Sequence, residues 1–526
     1  MKLFSDPHDH HKLFDAVIVG TGLTGGWAAK ELTEAGLEVL LLDAGPLLPP
    51  AAAADLSYWT PKRRKEAAAT SQPIQSRHPA WWKSNPQLFV DDQENPYRTD
   101  TDFVWIRGRQ LGGRSLTWGG VALRFSDHEF LAPERDGFGP RWPISYKDLA
   151  PYYDKVERFL GVQGSMEGLD QLPDGIFLPP PDLTETERRF KTIVESRWPH
   201  RKVIHCRGIA DDNHRGKWSP KTSLHGTLPA AFATGRATLR PDSIVSHLIA
   251  DPDGASIKSV ACIDRVTNQA FEVKGRTVIL CASTIESVRI MLNSKDRNHP
   301  DGVGNSSGLL GRGLVDHMAV TVTGTVPRSE HSPRYPLGGA NSFCIPRFRN
   351  IYEPSDAFIR GYGIWGGIQR EHAGAQQGPK QSPWFLTAVL EVLPHDSNCV
   401  CLDPKQVDTW GIPTVRIHME YQDNEHRMKI DALRAILEMT DSAGLYLIGT
   451  HIAAPGRYVH ELGGARMGRD RESSVLDPWN RCWDTLNLLV LDGASFPSSG
   501  WQDPSLTMMA IAARSCRIMT EKRGRQ

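Results

Sequence analysis

The 526-residue chain contains no apolar run approaching the roughly 20 residues that a membrane-spanning helix needs. An excess of either charge is also missing. The 61 basic and 61 acidic residues leave a formal net charge of zero, which gives no electrostatic case for nucleic acid or an anionic membrane as partner. Eight cysteines, spread from Cys206 to Cys516, are too few for a disulfide framework. The closest two, Cys399 and Cys401, lack the further cysteines and histidines of a zinc or iron–sulfur site, so no metal is expected. Residues Met1 to His8 have neither a basic nor an apolar segment, and export on a signal of the chain's own is not expected. The cytoplasm is the expected compartment, and the periplasm only if a partner carries the chain there.

The length suggests two domains, and 40% apolar with 23% charged residues is ordinary globular composition. Phe14 to Val19 reads as a buried strand, Gly26 to Ala35 as a helix stopped by Gly36, and Leu37 to Leu42 as a second strand. Together they make one βαβ unit, the first of a doubly wound parallel sheet. Residues 46–100 carry Pro46, Pro49, Pro50, Pro73, Pro79, Pro86 and Pro96, so a surface excursion or lid without regular core structure is expected. A helix is expected over Thr184 to Trp198. Parallel-sheet patterning returns at Thr238 to Arg240 and Ser243 to Val245, then a hairpin turns near Asn268. A buried strand follows at Thr277 to Ala282 and a helix at Ile285 to Leu292. Longer alternating runs over 320–450, with one amphipathic helix around Arg427 to Ala443, indicate a second sheet-and-helix domain. The chain closes with a strand at Asn487 to Asp492 and a helix from Pro504 to Ile518.

The loop Gly20-Thr21-Gly22-Leu23-Thr24-Gly25 joins the first strand to its helix. Gly20 permits the tight turn, Gly22 lets backbone approach a pyrophosphate, and Gly25 allows close helix–strand packing. Phosphates then sit at the helix N-terminus, where unpaired N–H groups and the helix dipole favour negative charge. Asp43, 23 positions after Gly20, is placed to accept hydrogen bonds from ribose hydroxyls. These features point to a dinucleotide without distinguishing FAD from NAD. Arg107 to Gly120 is a second glycine-dense block, suited to backbone pressed against a flat ligand. Near the end of the chain come His460-Glu461-Leu462-Gly463-Gly464-Ala465-Arg466-Met467-Gly468, then Asp492-Gly493, then Asp503-Pro504 opening the last helix. Pro504 suits a first helical turn, which points N–H groups at something electron-rich.

These blocks, in this order and with Gly308 to His317, resemble the glucose–methanol–choline (GMC) oxidoreductase family, reaching both termini but patchy over 46–100 and 320–395. Within it the chain looks more like bacterial sugar and gluconate dehydrogenases and sugar oxidases than like choline oxidase. The resemblance implies an α/β fold, α+β overall: a Rossmann-like FAD-binding domain on a parallel sheet, plus a substrate domain on a mostly antiparallel sheet with helices. The expected FAD domain is discontinuous (1–125, 225–320 and 455–526), with 126–224 and 321–454 forming the substrate domain. It implies FAD-dependent oxidation of an alcohol, with His460 as the base that removes the hydroxyl proton while hydride leaves for flavin N5. FAD-binding positions carried over are Gly20, Gly22, Gly25, Asp43, Arg109, Gly112, Gly113, Thr117, Gly119, Val245, Asp492, Gly493, Pro504 and Thr507.

Two positions depart from the family. Its second active-site residue is asparagine or histidine, and Asp503 stands there. A buried Asp503 could stay protonated and donate as the amide would, an ionised one could hold a protonated His460, or the residue could merely cap the helix. Where some members attach FAD covalently through histidine, this chain has Thr117, so noncovalent FAD is expected. Cys206 alone falls where related dehydrogenases carry an iron–sulfur relay, so electrons are expected to pass to oxygen, a quinone, or a partner protein or small subunit. Fifteen tryptophans, among them Trp81, Trp82, Trp365 and Trp384, suggest indole faces for a sugar-like substrate. Two other readings stay open: a redox-neutral lyase using His460 as base with FAD structural, and a nicotinamide dehydrogenase.

Overall fold

The computed structural model describes residues 2–4, 12–47, 58–78, 82–209, 221–327, 335–371 and 381–523. Strand β1 (Leu13–Val19), helix α1 (Leu23–Glu34) and strand β2 (Val39–Leu42) form the expected βαβ unit, with β1 and β2 parallel from Ala16↔Val39 to Val19↔Leu42. The chain returns to this sheet some 190 residues later with β3 (Ala237–Arg240), β4 (Ser243–Ala250), β5 (Ile257–Asp264) and β6 (Ala270–Leu280), followed by α2 (Thr284–Asn293). The strand order is Lys2–Leu3, β3, β2, β1, β6, β5, β4. β6 serves three partners, β5, β1 and a strand from late in the chain. Its first residues pair antiparallel with β5, and its last run parallel beside β1. The hairpin turns through Asn268 at φ +58°, a left-handed position that asparagine tolerates.

A second sheet follows, built from β7 (Met318–Pro327), β8 (Phe343–Ile345), β9 (Tyr362–Ile368) and β10 (Gln381–Leu390). Helix α3 (Asp423–Ser442) precedes β11 (Tyr446–Ile452). Its order is β11, β7, β10, β9, β8 and the short strand Ile204–His205, with every neighbouring pair antiparallel. The α/β class with one largely parallel and one antiparallel sheet is the one expected. α3 packs its buried Met428, Ala432, Ala435, Ile436 and Met439 on this sheet, at helical spacing that turns one face inward. The chain then re-enters the first sheet through β12 (Leu488–Val490), parallel to β6, and closes with α4 (Ser505–Arg523), which packs against α1.

The proline-rich stretch 46–100 differs from expectation. It holds a helix, Pro61–Ala69, and its Trp82, Leu88 and Val90 are buried. Thr60 caps that helix by accepting from the Arg63 N–H, and Pro61 occupies the first position, where a missing N–H costs nothing. Residues 48–57 and 79–81 of the stretch lie outside the described residues.

Candidate active site

The turn at Gly20 has φ +97°, and a Cβ on Gly25 would lie 2.0 Å from the Gly20 carbonyl oxygen. Only glycine lets α1 approach its own strand that closely. Gly22 caps α1 without any side-chain hydrogen bond, so the N–H groups of the first turn stay uncapped. A Cβ there would meet only the Gly112 carbonyl, at 4.0 Å. The second glycine block sits across from this turn. The Gly112 N–H donates to Thr21 Oγ1 at 2.8 Å, Gly113 lies close to Gly22 Cα, and Gly119 has open space on its side-chain side. Thr117 ends the 3₁₀ turn of this block, with its N–H on the Arg114 carbonyl at 3.0 Å.

Asp43 stands at the end of β2. Its Oδ2 accepts from the Thr21 N–H at 3.0 Å and from the Thr21 hydroxyl, and its Oδ1 from the Gly45 N–H at 2.9 Å. Those bonds use three of a carboxylate's roughly four acceptor positions and leave one on Oδ1. Burial raises its pKa to about 6 against those stabilising bonds. Asp492 is held alike: Oδ2 accepts from Ser287 at 2.5 Å and Oδ1 from the Ala494 N–H at 3.0 Å, and burial lifts it to about 6. Gly493 follows and accepts at its carbonyl from the Gly463 N–H at 2.9 Å. Arg109 extends its guanidinium to Asn95 and over the Trp410 ring, while its carbonyl packs on Gly45. Val245 is a buried β4 residue paired with Cys262. Pro504 accepts at its carbonyl from the Met508 N–H at 2.9 Å, and Thr507 shares a 2.9 Å hydrogen bond with the Tyr153 hydroxyl.

His460 is brought in by a short antiparallel contact. Val315 and Leu462 exchange backbone hydrogen bonds of 3.0 and 2.9 Å. In that register the residue two beyond Val315 faces the residue two before Leu462, so His317 lies against His460. Their Nδ1 atoms are 2.9 Å apart, and His317 Nε2 lies 2.7 Å from the Gly500 carbonyl. The His460 N–H donates to Asp316 Oδ1 at 2.8 Å. Gly463 comes so near the chain that a Cβ would fall 2.2 Å from the Gly313 carbonyl. Val459, just before His460, has φ +63°, a strained conformation for a β-branched residue. Arg114 of the second glycine block holds this corner by donating to the Val459 carbonyl and, at 2.6 Å, to Glu461.

Asp503 lies with its Oδ1 3.8 Å from His460 Nδ1, and the two side chains are 22% and 17% exposed. Burial raises the Asp503 carboxyl to about 7. Burial, with His317 and Arg114 adding to it, lowers His460 well below the usual imidazole range, and burial lowers His317 to about 4. At neutral pH both imidazoles are therefore uncharged. The Tyr458 ring is 4.9 Å from the His460 ring, and its hydroxyl accepts from Trp365 Nε1 at 2.9 Å. Of the tryptophans expected to offer sugar-binding faces, only Trp365 stands here. Trp82 and Trp384 are core residues whose indole N–H groups bond Gln72 and the Tyr446 carbonyl, and Trp81 lies outside the described residues.

A family model described as GMC oxidoreductase matches residues 394–512, which include His460, Asp492 and Asp503. A C-glycoside 3-oxidase from Arthrobacter globiformis is 30% identical over 97% of this chain and 95% of its own. The chain belongs to the GMC oxidoreductase family. A 2-methyl-1,2-propanediol dehydrogenase from Mycolicibacterium austroafricanum is 26% identical over 95% of this chain and 94% of its own. In fold, this GMC oxidoreductase matches the crystal structure of pyridoxine 4-oxidase from Mesorbium loti with a TM-score of 0.65, at 19% identity over 96% and 99% of the two chains. The cofactor of this GMC oxidoreductase is FAD. The residues fit it: an uncapped helix start at Gly22, two facing glycine turns that leave open space, and a free acceptor position on Asp43.

His317, Asp316 and Tyr458 carried no assigned role in the sequence. The signal available was the Asp-His pair ending the block Gly308 to His317, whose partner lies 143 residues away.

Proposed function

We propose that this GMC oxidoreductase oxidises a CH–OH group of a sugar, glycoside or related polyol, with His460 as the base. The observation that carries this reading is a neutral, largely buried imidazole that keeps 17% of its side chain exposed, beside a carboxyl that burial holds at about 7. Bound FAD supplies the acceptor for the hydride that leaves the carbinol carbon. His460 takes the hydroxyl proton, which builds the negative charge on oxygen that expels the hydride. Asp503, protonated below about pH 7, can donate a hydrogen bond to that oxygen. The partly exposed Trp365, fixed by Tyr458, offers an indole face to a pyranose ring. The glycoside oxidase and diol dehydrogenase among the relatives support the substrate class. FAD is held noncovalently, with Thr117 in the position of the attaching histidine, and electrons leave to oxygen, a quinone, or a partner protein or small subunit.

The test is anaerobic mixing of holoenzyme with D-glucose, D-fructose, D-gluconate, a C-glycoside and 1,2-propanediol, followed by dye-coupled assays with and without oxygen. We expect at least one sugar or polyol to bleach the flavin band. His460→Gln should slow that bleaching by about 10²-fold or more, the usual share of a general base. Turnover without bleaching would make the protein a redox-neutral lyase and overturn the proposal.

A further inference from the structure

We propose that His317 is a positioning residue that sets the tautomer of His460, holding the proton on Nδ1 and leaving Nε2 as the atom that takes the substrate proton. This rests on the reading of His460 as base.

The argument starts at Gly500. A backbone carbonyl only accepts, so His317 Nε2, 2.7 Å from the Gly500 oxygen, must carry a hydrogen. His317 is fully buried and uncharged at neutral pH, so its other nitrogen, Nδ1, holds a lone pair. His460 Nδ1 lies 2.9 Å from His317 Nδ1 and must donate to its lone pair. In a neutral imidazole one nitrogen donates and the other accepts, so the lone pair of His460 is on Nε2. Asp503, at 3.8 Å from the same Nδ1, is beyond hydrogen-bond reach and does not substitute as the acceptor.

The rest of the pocket holds this relay still. The Gly500 carbonyl is fixed because Trp501, next in sequence, is buried with its ring against the Gly363 backbone of β9. His317 itself is locked by the backbone exchange between Val315 and Leu462. The other groups facing His460 are the Tyr458 ring at 4.9 Å, Arg114 through its charge, and Asp316 on the backbone N–H. None of these accepts from the His460 ring. A wrong tautomer would be neutral too, so raising the pH could not restore it.

Two variants separate positioning from packing. In His317→Gln the amide oxygen can accept from His460 Nδ1 while the amide N–H₂ donates to Gly500. His317→Leu can do neither. With a sugar of the panel above that reduces the flavin, we expect His317→Leu to slow reduction by about 10²-fold or more. Its substrate dissociation constant should stay unchanged, and no recovery should occur between pH 6 and 9. His317→Gln should stay within about tenfold of wild type. Nitrogen-15 spectra of histidine-labelled holoenzyme, with His460→Gln used for assignment, should show Nδ1 protonated in wild type and His317→Gln, and Nε2 protonated to a large extent in His317→Leu. Full rate and an unchanged His460 tautomer in His317→Leu would overturn the proposal. So would equal losses in both variants with a wild-type tautomer. Undiminished reduction in His460→Gln would instead remove the base reading beneath it.

Discussion

Replacing Asp503 by asparagine should stabilise this protein, and by an amount that depends on pH. The side chain is 22% exposed, and burial lifts its carboxyl from the ordinary 3.8 to about 7. Below about pH 4 the group is protonated in both folded and unfolded chains and contributes no pH dependence. Between about pH 4 and 7 the unfolded chain has released a proton that the folded chain retains, so wild-type stability falls as pH rises. The loss levels off above about pH 7. Three pH units at about 1.4 kcal/mol each make the loss about 4 kcal/mol, an upper bound because the exposed fifth of the side chain remains solvated. Asparagine has nearly the same shape and no charge to lose. Asp503→Asn should therefore match wild type near pH 4 and exceed it by 1 to 4 kcal/mol, roughly, at pH 8. Urea midpoints of the holoenzyme at four pH values, with free FAD held constant and saturating, measure the gap. The variant should also keep or improve flavin reduction, without a change of rate near pH 7. A stability gap that does not vary with pH, or a large loss of reduction rate, would refute this account.

Gly25→Ala should lower FAD occupancy and cost about 1–3 kcal/mol, since the new Cβ would lie 2.0 Å from the Gly20 carbonyl; full occupancy by absorbance ratio, with an unchanged midpoint, would contradict this. Val459→Gly releases a strained φ of +63° worth about 1–2 kcal/mol against a glycine entropy cost of about 0.5–1 kcal/mol. Its stability should thus be unchanged or slightly raised while reduction slows, and a midpoint loss above about 2 kcal/mol would show that the strain was misjudged. Acid precipitation should leave the yellow colour in the supernatant, because threonine at position 117 makes no bond to flavin; a coloured pellet would show a covalent link.

The βαβ unit was legible because its determinants lie within about 30 residues, each with a local physical meaning. The same holds for the helix at Pro504 and for His460, which sits in a recognisable block. What escaped depends on distance or on burial. His317 gains its role only through a backbone pairing with a segment 143 residues away, and no local pattern announces that pairing. The prolines of 46–100 argued against regular structure, yet Pro61 directly after Thr60 is a helix start. Pro151 similarly obscures the helix Tyr146–Leu160, whose inward Leu149, Tyr153, Val156 and Leu160 follow helical spacing. Tryptophan count could not separate Trp365, at the pocket, from Trp82 and Trp384, which fill the core.

The placement of β12 beside β6 governs the order in which the molecule can be made. The first βαβ unit is complete once residue 42 has been synthesised, but its sheet gains β6 only at residue 280 and β12 only at residue 490. At roughly 5–20 residues per second, the remaining stretch of some 450 residues keeps the ribosome occupied for about 20 to 90 s. Over that interval the sheet is completed in stages: β1 waits for β6 until residue 280, and the end of β6 then waits for β12. Asp492 and the helix behind Asp503 are made after the antiparallel sheet, so the full cofactor seat cannot assemble until that sheet has been synthesised, and the early β1 edge is exposed to aggregation chiefly before residue 280.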